Sequence, residues 1–309
     1  MAGQVGWKSE VTWGTPVVVD TFVPVTAWNV VRDPGWLRPA GIRGGRRTRP
    51  PGQTGAITVS GTMELELPNR SIASLLKHMF GTVNTTGAGP TYTHTYSPGP
   101  QVGKSLTVQG GVEAANGTVY PFTAAGTKLG SWELGAAVGE FAMLRADWTA
   151  RNVENATALA TASYSSTLEP FTFVEAAVTV NGAPVVSANN ATLTFNKGLR
   201  DDRHVLGSNY IREQLEEEHW EITSSIDADF DDLTLYTLST GETQVASTFV
   251  FNNGADSLTL TMSGQVTGEP PSLTKIGLES QTITLDHSSP TSDAATITAV
   301  LVNTEPSAA

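Results

Sequence analysis

Residues 55–81 constrain the fold of this chain more than any other stretch, because their hydrophobic pattern changes its period half-way along. Over residues 57–67 apolar and polar side chains alternate, which is typical of a strand buried on one face only. Pro68 ends the alternation, since proline has no amide to donate to a sheet. The first part of the stretch is therefore predicted to be a half-buried β-strand.

The second part of this stretch has the pattern of a helix. Over residues 72–80 the apolar side chains recur at three-residue and four-residue spacings, which predicts an amphipathic helix of about three turns. Asn69 is the candidate N-cap of this helix, and Gly81 is its candidate C-terminal stop.

The same pattern of a strand followed by a helix recurs in residues 220–241. Asp227 and Asp229 hold the polar positions that Glu64 and Glu66 hold in the first unit, and each follows its counterpart by 163 positions. A shared offset across a strand and the segments beside it indicates that one domain is used twice. The alternative is that any two amphipathic strand-and-helix units look alike.

Strand candidates recur along both halves of the chain at the spacing of about eight to twelve residues that is typical of sandwiches and barrels. We therefore predict a mainly β protein made of two tandem β-sandwich or barrel domains, each with one short α-helix and a long loop. The first domain is predicted to span residues 1–152, and the second residues 170–309. The small polar residues of 153–169 are the predicted linker.

Composition excludes several classes of protein. The chain has no cysteine, so it has neither a disulfide framework nor thiolate chemistry. Its formal net charge of −12 is opposite to the balance of most proteins that grip nucleic-acid phosphates. We expect no signal peptide, because the first residues lack a basic segment followed by an apolar core. We also expect no membrane span, because no apolar run approaches the length of about 18 residues that one requires.

The sequence contains no recognisable catalytic or metal-binding motif. None of its five histidines has the spacing of a zinc-protease pair. The acidic run 227–232 resembles the start of a calcium loop, but Asp232 stands where the loop needs glycine and Leu238 where it needs glutamate. The glutamates of 215–219 give no sign of a converging carboxylate pair. We therefore predict a protein that is not an enzyme and that uses no cofactor or metal.

Three tryptophans lie in segments that lack the period of a strand or helix. Trp7 and Trp13 belong to an N-terminal arm, residues 1–16, and Trp36 belongs to a long loop region, residues 27–54. A loop of that length in a compact domain is usually functional or bound to a partner. We expect the arm and the loop to contact a neighbouring surface, either within the chain or on another copy.

The long loop also carries a basic run, formed by Arg43, Arg46, Arg47 and Arg49. The corresponding loop of the second half is acidic and carries Glu213, Glu216, Glu217 and Glu218. Opposite charges on equivalent loops indicate that neighbouring domains bind each other at these loops. Nucleic-acid binding and a solvated loop are the two alternatives.

Five segments together resemble the major tail tube proteins of long-tailed, non-contractile bacteriophages, with the greatest likeness to phages of actinobacteria. The likeness runs from residue 5 to about residue 240, and it carries no catalytic residue. The segments are VGWKSEVTWGTP (5–16), SLLKHMFGTVNTTGAGPTYTHTYSPG (74–99), GKSLTVQ (103–109), YPFTAAGTKLGSWEL (120–134) and TALATASY (157–164).

The resemblance implies a structural virion protein whose β-sandwich domains join side by side into rings. The rings would stack into the hollow tail tube through which phage DNA passes without specific binding. Its other partners would be the tape measure protein and the tail terminator and distal tail proteins, with assembly in the bacterial host cytoplasm. Two domains per chain would let three chains form a ring with pseudo-sixfold symmetry, and six chains per ring is the alternative. The competing function is a carbohydrate-binding or adhesion β-sandwich protein.

The polar faces of the two alternating strands provide candidates for the lining of such a channel. Glu64 and Glu66 of the first strand, and Asp227 and Asp229 of the second, lie opposite the apolar face that meets the core. An acidic lining would repel DNA phosphates and let the genome slide without adhering. The alternative is that these side chains lie on an ordinary solvated outer face.

Overall fold

The computed structural model of the chain describes all but a few short segments. The described residues are 3–41, 44–45, 48, 50–200, 202–214, 218–231, 233–241, 243–267, 280–289 and 291–307. They form eighteen β-strands, three α-helices and a single 3-10 turn, so the prediction of a mainly β protein is confirmed.

The elements up to residue 154 are ten strands and one helix. The strands are β1 (Gln4–Ser9), β2 (Thr21–Phe22), β3 (Ala27–Asp33), β4 (Thr58–Glu66), β5 (Gly81–Thr86), β6 (Tyr92–Pro98), β7 (Leu106–Glu113), β8 (Val119–Ala137), β9 (Met143–Ala150) and β10 (Asn152–Glu154). The helix is α1 (Ala73–Phe80).

The later elements are eight strands, two helices and the 3-10 turn Phe173–Glu175. The strands are β11 (Ala176–Val180), β12 (Ala183–Pro184), β13 (Ala188–Asn196), β14 (Glu221–Asp229), β15 (Gln244–Asn252), β16 (Ser257–Thr267), β17 (Ser280–His287) and β18 (Ile297–Asn303). The helices are α2 (Thr234–Thr240) and the single-turn α3 (Asp293–Thr296).

Both predicted strand-and-helix units are present, as β4 with α1 and β14 with α2. Gly81 closes α1 with a φ of +102°, a conformation that a side chain would strain. The expected N-cap at Asn69 is wrong, because the chain turns at Ser71, whose φ is +62°, and the helix begins after Ile72. Asn69 instead donates from Nδ2 to Asp256 Oδ2 at 2.7 Å.

One other prediction of local structure is also corrected. The predicted long loop over 27–54 begins later than expected, because its first seven residues form β3 and pair with β4.

All strand pairs between these elements are antiparallel, and the order of pairing in the first part of the chain recurs in the second. The first order is β1–β7–β8–β9–β4–β3, and the second is β11–β15–β16–β17–β14–β13. In both, one further strand pairs with the central strand of the set, β10 with β8 and β18 with β16.

The two parts of the chain are hydrogen-bonded to each other. The C-terminal portion of β8 pairs with β13, from Ser131 opposite Asn196 to Ala137 opposite Asn190. Strand β18 likewise pairs with β6. The strands therefore form one connected network, and the division into two domains at 153–169 stays a prediction.

The hydrophobic core is also continuous between the two parts. The rings of Trp132 on β8 and Phe195 on β13 are stacked, with 4.9 Å between their centroids. Phe80 at the end of α1 packs against both rings, at 5.6 Å and 6.0 Å. Burial of these three aromatic side chains fixes α1 against the junction of β8 with β13.

Candidate functional site

Seven consecutive strands form one uninterrupted run of the sheet, in the order β3–β4–β9–β8–β13–β14–β17. Residues directly opposite each other in an antiparallel pair lie on the same face of a sheet. The registers can therefore be followed from strand to strand across the whole run. They show that the polar side chains of β4 and those of β14 share one face.

The path from the first strand to the last can be traced through named pairs. Glu64 lies opposite Arg145, which lies opposite Glu133. Glu133 lies opposite Thr194, and Thr194 opposite Thr223. Because β14 carries Thr223 and Asp227 an even number of residues apart, all these side chains are on one side of the sheet.

This surface is called the acidic face below. On the seven strands it carries nine carboxylates and two basic side chains, Arg145 and Lys128. Lys128, opposite Thr149, is buried, and the other residues of the face are not. Arg145 itself lies 3.7 Å from a carboxylate oxygen of Glu64 and 3.5 Å from one of Asp147. The nine acids are Asp33, Glu64, Glu66, Glu133, Asp147, Glu221, Asp227, Asp229 and Asp286.

The opposite face of the same strands is apolar and meets the core. Met63 and Leu65 of β4, Leu193 of β13 and Ile226 of β14 are each almost completely buried. A register slip by one residue would bury the carboxylates and expose these side chains, so the orientation of the acidic face is strongly determined. All four acids predicted to line a channel, Glu64, Glu66, Asp227 and Asp229, are thus brought to one surface.

An open cleft of about 830 Å³ indents the acidic face near the ends of β3 and β13. Ser60, Thr62 and Asp147 form part of its floor, and the loop after β13 contributes Arg200 and Asp202. The hydrogen bond from Arg200 lowers the pKa of the Asp202 carboxyl, and the two opposite charges form an ion pair at the edge of the cleft.

The three predicted contact tryptophans have different surroundings. Trp7 donates from Nε1 to Ser74 Oγ at 3.0 Å and packs on α1 of its own chain. Its side chain has no exposed surface with which to contact another copy. Trp13 lies against the guanidinium of Arg151, 5.4 Å from the ring centroid. Trp36 is 56% exposed and is free to contact another surface. The predicted contacts Arg43, Arg46, Arg47 and Arg49 lie outside the described residues.

A buried ion pair joins the acidic loop of the second part to the first part. Lys128 on β8 lies 2.8 Å from a carboxylate oxygen of Glu213, and it also donates to the backbone oxygens of Gln101 and Gln214. The sequence pattern predicted that the loop carrying Glu213 binds the arginine run of the other loop. It did not identify Lys128 as the partner of Glu213. The signal was weak, because a lysine within a long strand is normally solvated.

No cluster of three His, Asp or Glu side chains in the described part of the chain is arranged to hold a metal ion. Among the same residues, no helix has the length and apolar character needed to cross a membrane.

Comparison with known proteins bears on what this surface is for. A family model described as phage tail tube protein matches residues 2–299, which is nearly the whole chain. A comparison with curated proteins finds no match.

Proposed function

The chain belongs to the phage tail tube protein family, and we propose that it polymerises as stacked rings into the hollow tube that conducts phage DNA into the host. It is a structural component of the phage tail, and the proposed tail is of the long, non-contractile type. The observation that carries the proposal is the acidic face, a polar surface that extends without a break over seven strands from both parts of the chain.

The acidic face is proposed to line the channel. DNA adheres to cationic surfaces because binding releases condensed counterions, so a conduit must present the opposite charge. At a Debye length of about 8 Å the repulsion is short-ranged, and the carboxylates must therefore lie on the wall itself. The near absence of basic side chains on this face, with Arg145 already placed between two carboxylates, suits that role.

The ring is proposed to contain three chains with pseudo-sixfold symmetry. Its support is the strand order that occurs twice in the chain, together with the 163-residue offset between β4 and β14. If each repeat occupies one place around the axis, three chains supply six places. A ring of six chains, with the second part lying partly outside the wall, is the competing arrangement.

Ring stacking is proposed to use the two ends of the sheet, since each exposes apolar side chains. At the end where β3 and β13 finish, the loops expose Trp36, Leu37 and Leu206. At the opposite end, the β8–β9 hairpin and the 3-10 turn expose Phe141 and Val174. Apolar groups at both ends are suited to head-to-tail contact between rings. The tape measure, tail terminator and distal tail proteins would bind the ends of the finished tube.

Purified protein examined by negative-stain electron microscopy tests the proposal. Polymers with a central channel are the expected result. A protein that stays monomeric at high concentration, and that is retained on immobilised glycans, would instead favour a carbohydrate-binding function.

A further inference from the structure

We propose that Leu206 of one copy enters an apolar cavity at the opposite end of a second copy, and that this contact joins one ring to the next. The inference rests on the proposed self-assembly and identifies the side chains that hold stacked rings together. It follows from two features at the two ends of the sheet, a fixed turn that exposes a leucine and a cavity with apolar walls.

The exposed leucine belongs to the segment 203–212, called the tip loop below. The loop folds back on itself, since the amide of Arg212 donates to the backbone oxygen of Arg203 at 2.8 Å. Leu206 lies at its turn, and Gly207 supplies the φ of +87° that follows. Among the described residues, no other large apolar side chain is as exposed as Leu206, whose whole surface faces solvent.

The tip loop is held against the first part of the chain. His204 donates from Nε2 to the backbone oxygen of Ile57 at 3.0 Å, and the amide of Ile57 donates to the backbone oxygen of Asn209 at 2.7 Å. Ile211 is buried and fixes the end of the loop. Leu206 is therefore presented by an ordered backbone, which reduces the entropy that a contact would cost.

An apolar cavity of about 250 Å³ lies at the other end of the sheet. It is formed by the last residues of β8 and β15 and by the first residues of β11 and β13. Its walls consist of alanine, valine, phenylalanine and proline together with two asparagines. Val138, Phe173 and Val186 belong to this lining and are exposed, so the apolar surface continues from the cavity to the outside. Such a surface is typical of a binding site for an apolar group.

The strand registers place the leucine and the cavity at opposite ends of the same strands. Asn196, after which the chain leads to the tip loop, lies opposite Ser131, whereas Asn190 in the cavity wall lies opposite Ala137. Six residues of strand separate the two pairs, a distance of about 20 Å. The leucine therefore cannot reach the cavity of its own chain, and a second copy in head-to-tail orientation brings the two together.

Opposite charges beside the two surfaces favour a second copy over an unrelated apolar partner. Near the tip loop, Arg200 and Asp202 pair with each other at 2.6 Å, and Arg212 adds an exposed positive charge. Beside the cavity, Glu140 is exposed, and its backbone oxygen accepts from the amide of Phe173 at 3.1 Å. A basic loop and an acidic rim are electrostatically complementary in the head-to-tail orientation.

The proposed contact also has the symmetry that a tube requires. It joins two different surfaces of identical chains, so it is heterologous. A heterologous contact that does not close on itself continues as an open helical stack. Repeated between rings, the contact would therefore extend the tube by one ring at a time.

Engineered cysteines test the contact directly, because the natural chain has none. The variant Leu206→Cys with Val186→Cys, oxidised after polymerisation, should give covalent multiples of the chain that a reductant separates. The matched control is Val11→Cys with Val186→Cys. Val11 is 92% exposed and follows β1 at the same end as the tip loop, so the control should give no such multiples.

Substitution of Leu206 tests the contact without relying on disulfide geometry. Because the side chain is fully exposed in the single chain, Leu206→Asp should keep the thermal unfolding midpoint of the parent. The protein concentration at which tubes form, measured by sedimentation, should rise about tenfold or more, since a carboxylate is not buried in an apolar cavity without cost. The control Val11→Asp makes the same change at another exposed site and should assemble like the parent.

Reversal of charge tests the orientation of the two copies. Arg212→Glu should raise the concentration at which tubes form, because it places two acids across the contact. Adding Glu140→Arg should lower that concentration again, since the charges are then opposite once more. A double variant that assembles no better than Arg212→Glu alone would contradict the proposed orientation.

The outcomes separate this inference from the proposed function. Tubes that Leu206→Asp forms at the parent concentration, with no covalent multiples from the cysteine pair at positions 206 and 186, would overturn the contact alone. A parent chain that forms no tubes at all would overturn the proposed function instead.

Discussion

The ammonium of Lys197 donates to the backbone oxygen of His78 at 2.5 Å, although the two residues belong to different parts of the chain. Lys197 follows β13 directly and is almost completely buried, and His78 lies on α1. The His78 ring is buried too, with Nε2 2.8 Å from Ser9 Oγ. One polar network thus ties the end of β13, the helix of the first part and the N-terminal strand together, beneath the sheet that carries the acidic face.

Replacing Lys197 with methionine should destabilise the protein by about 1–3 kcal/mol, because a buried backbone oxygen loses its charged donor. Chemical denaturation followed by circular dichroism measures the change. The control Lys8→Met removes an exposed lysine that pairs with Asp20, and it should cost at most about 1 kcal/mol. Equal effects of the two substitutions would show that the buried network contributes nothing specific.

Stability should fall as the pH is lowered below about 6.5. Burial, and secondarily the charge of Lys197, lower the pKa of His78 to about 3, and burial lowers that of His287 to about 4. Both rings are then neutral in the folded protein, whereas the unfolded chain takes up protons near pH 6.5. The two neutral rings therefore contribute their full stabilisation above pH 6.5. That stabilisation is lost as the pH falls from 6.5 towards their pKa values in the folded protein.

Denaturation midpoints at pH 8, 6 and 5 test this dependence, because most carboxylates titrate below that window. Each histidine should lower the free energy of unfolding by up to about 1.4 kcal/mol per pH unit. The variant His78→Gln should show a shallower dependence than the parent. Parent stability that is constant from pH 8 to pH 5 would mean that neither ring is held neutral.

Removing the carboxylate from the Lys128–Glu213 pair should also weaken the link between the two parts of the chain. The variant Glu213→Gln removes a carboxylate that lies 2.8 Å from a buried ammonium and should cost about 3 kcal/mol in the free energy of unfolding. Adding Lys128→Met should restore part of that loss, since the buried positive charge is then gone. A double variant as unstable as the sum of both single changes would contradict the coupling.

How far the sequence predicts this structure depends on whether a feature is local. Alternation over residues 57–67 and the three- and four-residue spacing over 72–80 predicted β4, α1 and the facing of Glu64 correctly, since these follow from period alone. Strand β3 was missed, because it lies within a segment rich in loop signals and pairs at an edge. The sequence pattern identified the acids of β4 and β14. That they lie on one face of a single sheet depends on the pairing of β8 with β13, which no local pattern predicts.

The buried lysines mark a second limit of sequence reasoning. Lys197 follows an alternating strand, where a charged residue normally ends in solvent. Its burial depends on α1, which lies more than a hundred residues earlier in the chain. Asn69 shows the same limit, because its partner Asp256 belongs to the other part of the chain.

Reversing charge on the acidic face should make assembled tubes bind DNA. Tubes of Glu64→Lys, Glu66→Lys, Asp227→Lys and Asp229→Lys should retain double-stranded DNA at low salt and release it as salt rises. Filter binding of tubes at increasing ionic strength measures this. The control reverses four exposed acids outside the face, Asp20, Glu113, Glu140 and Asp293. DNA ejection by virions carrying the first variant should be slower than by virions carrying the control, and equal rates would contradict the lumenal assignment.

A cryo-electron microscopy map of the assembled tube, at a resolution that traces the strands, tests the proposed tube most directly. It should show three chains per ring, with β4 and β14 both facing the channel and with Glu64 and Asp227 on the inner wall. A map that places these two side chains on the outside of the tube, or on opposite sides of its wall, would contradict it.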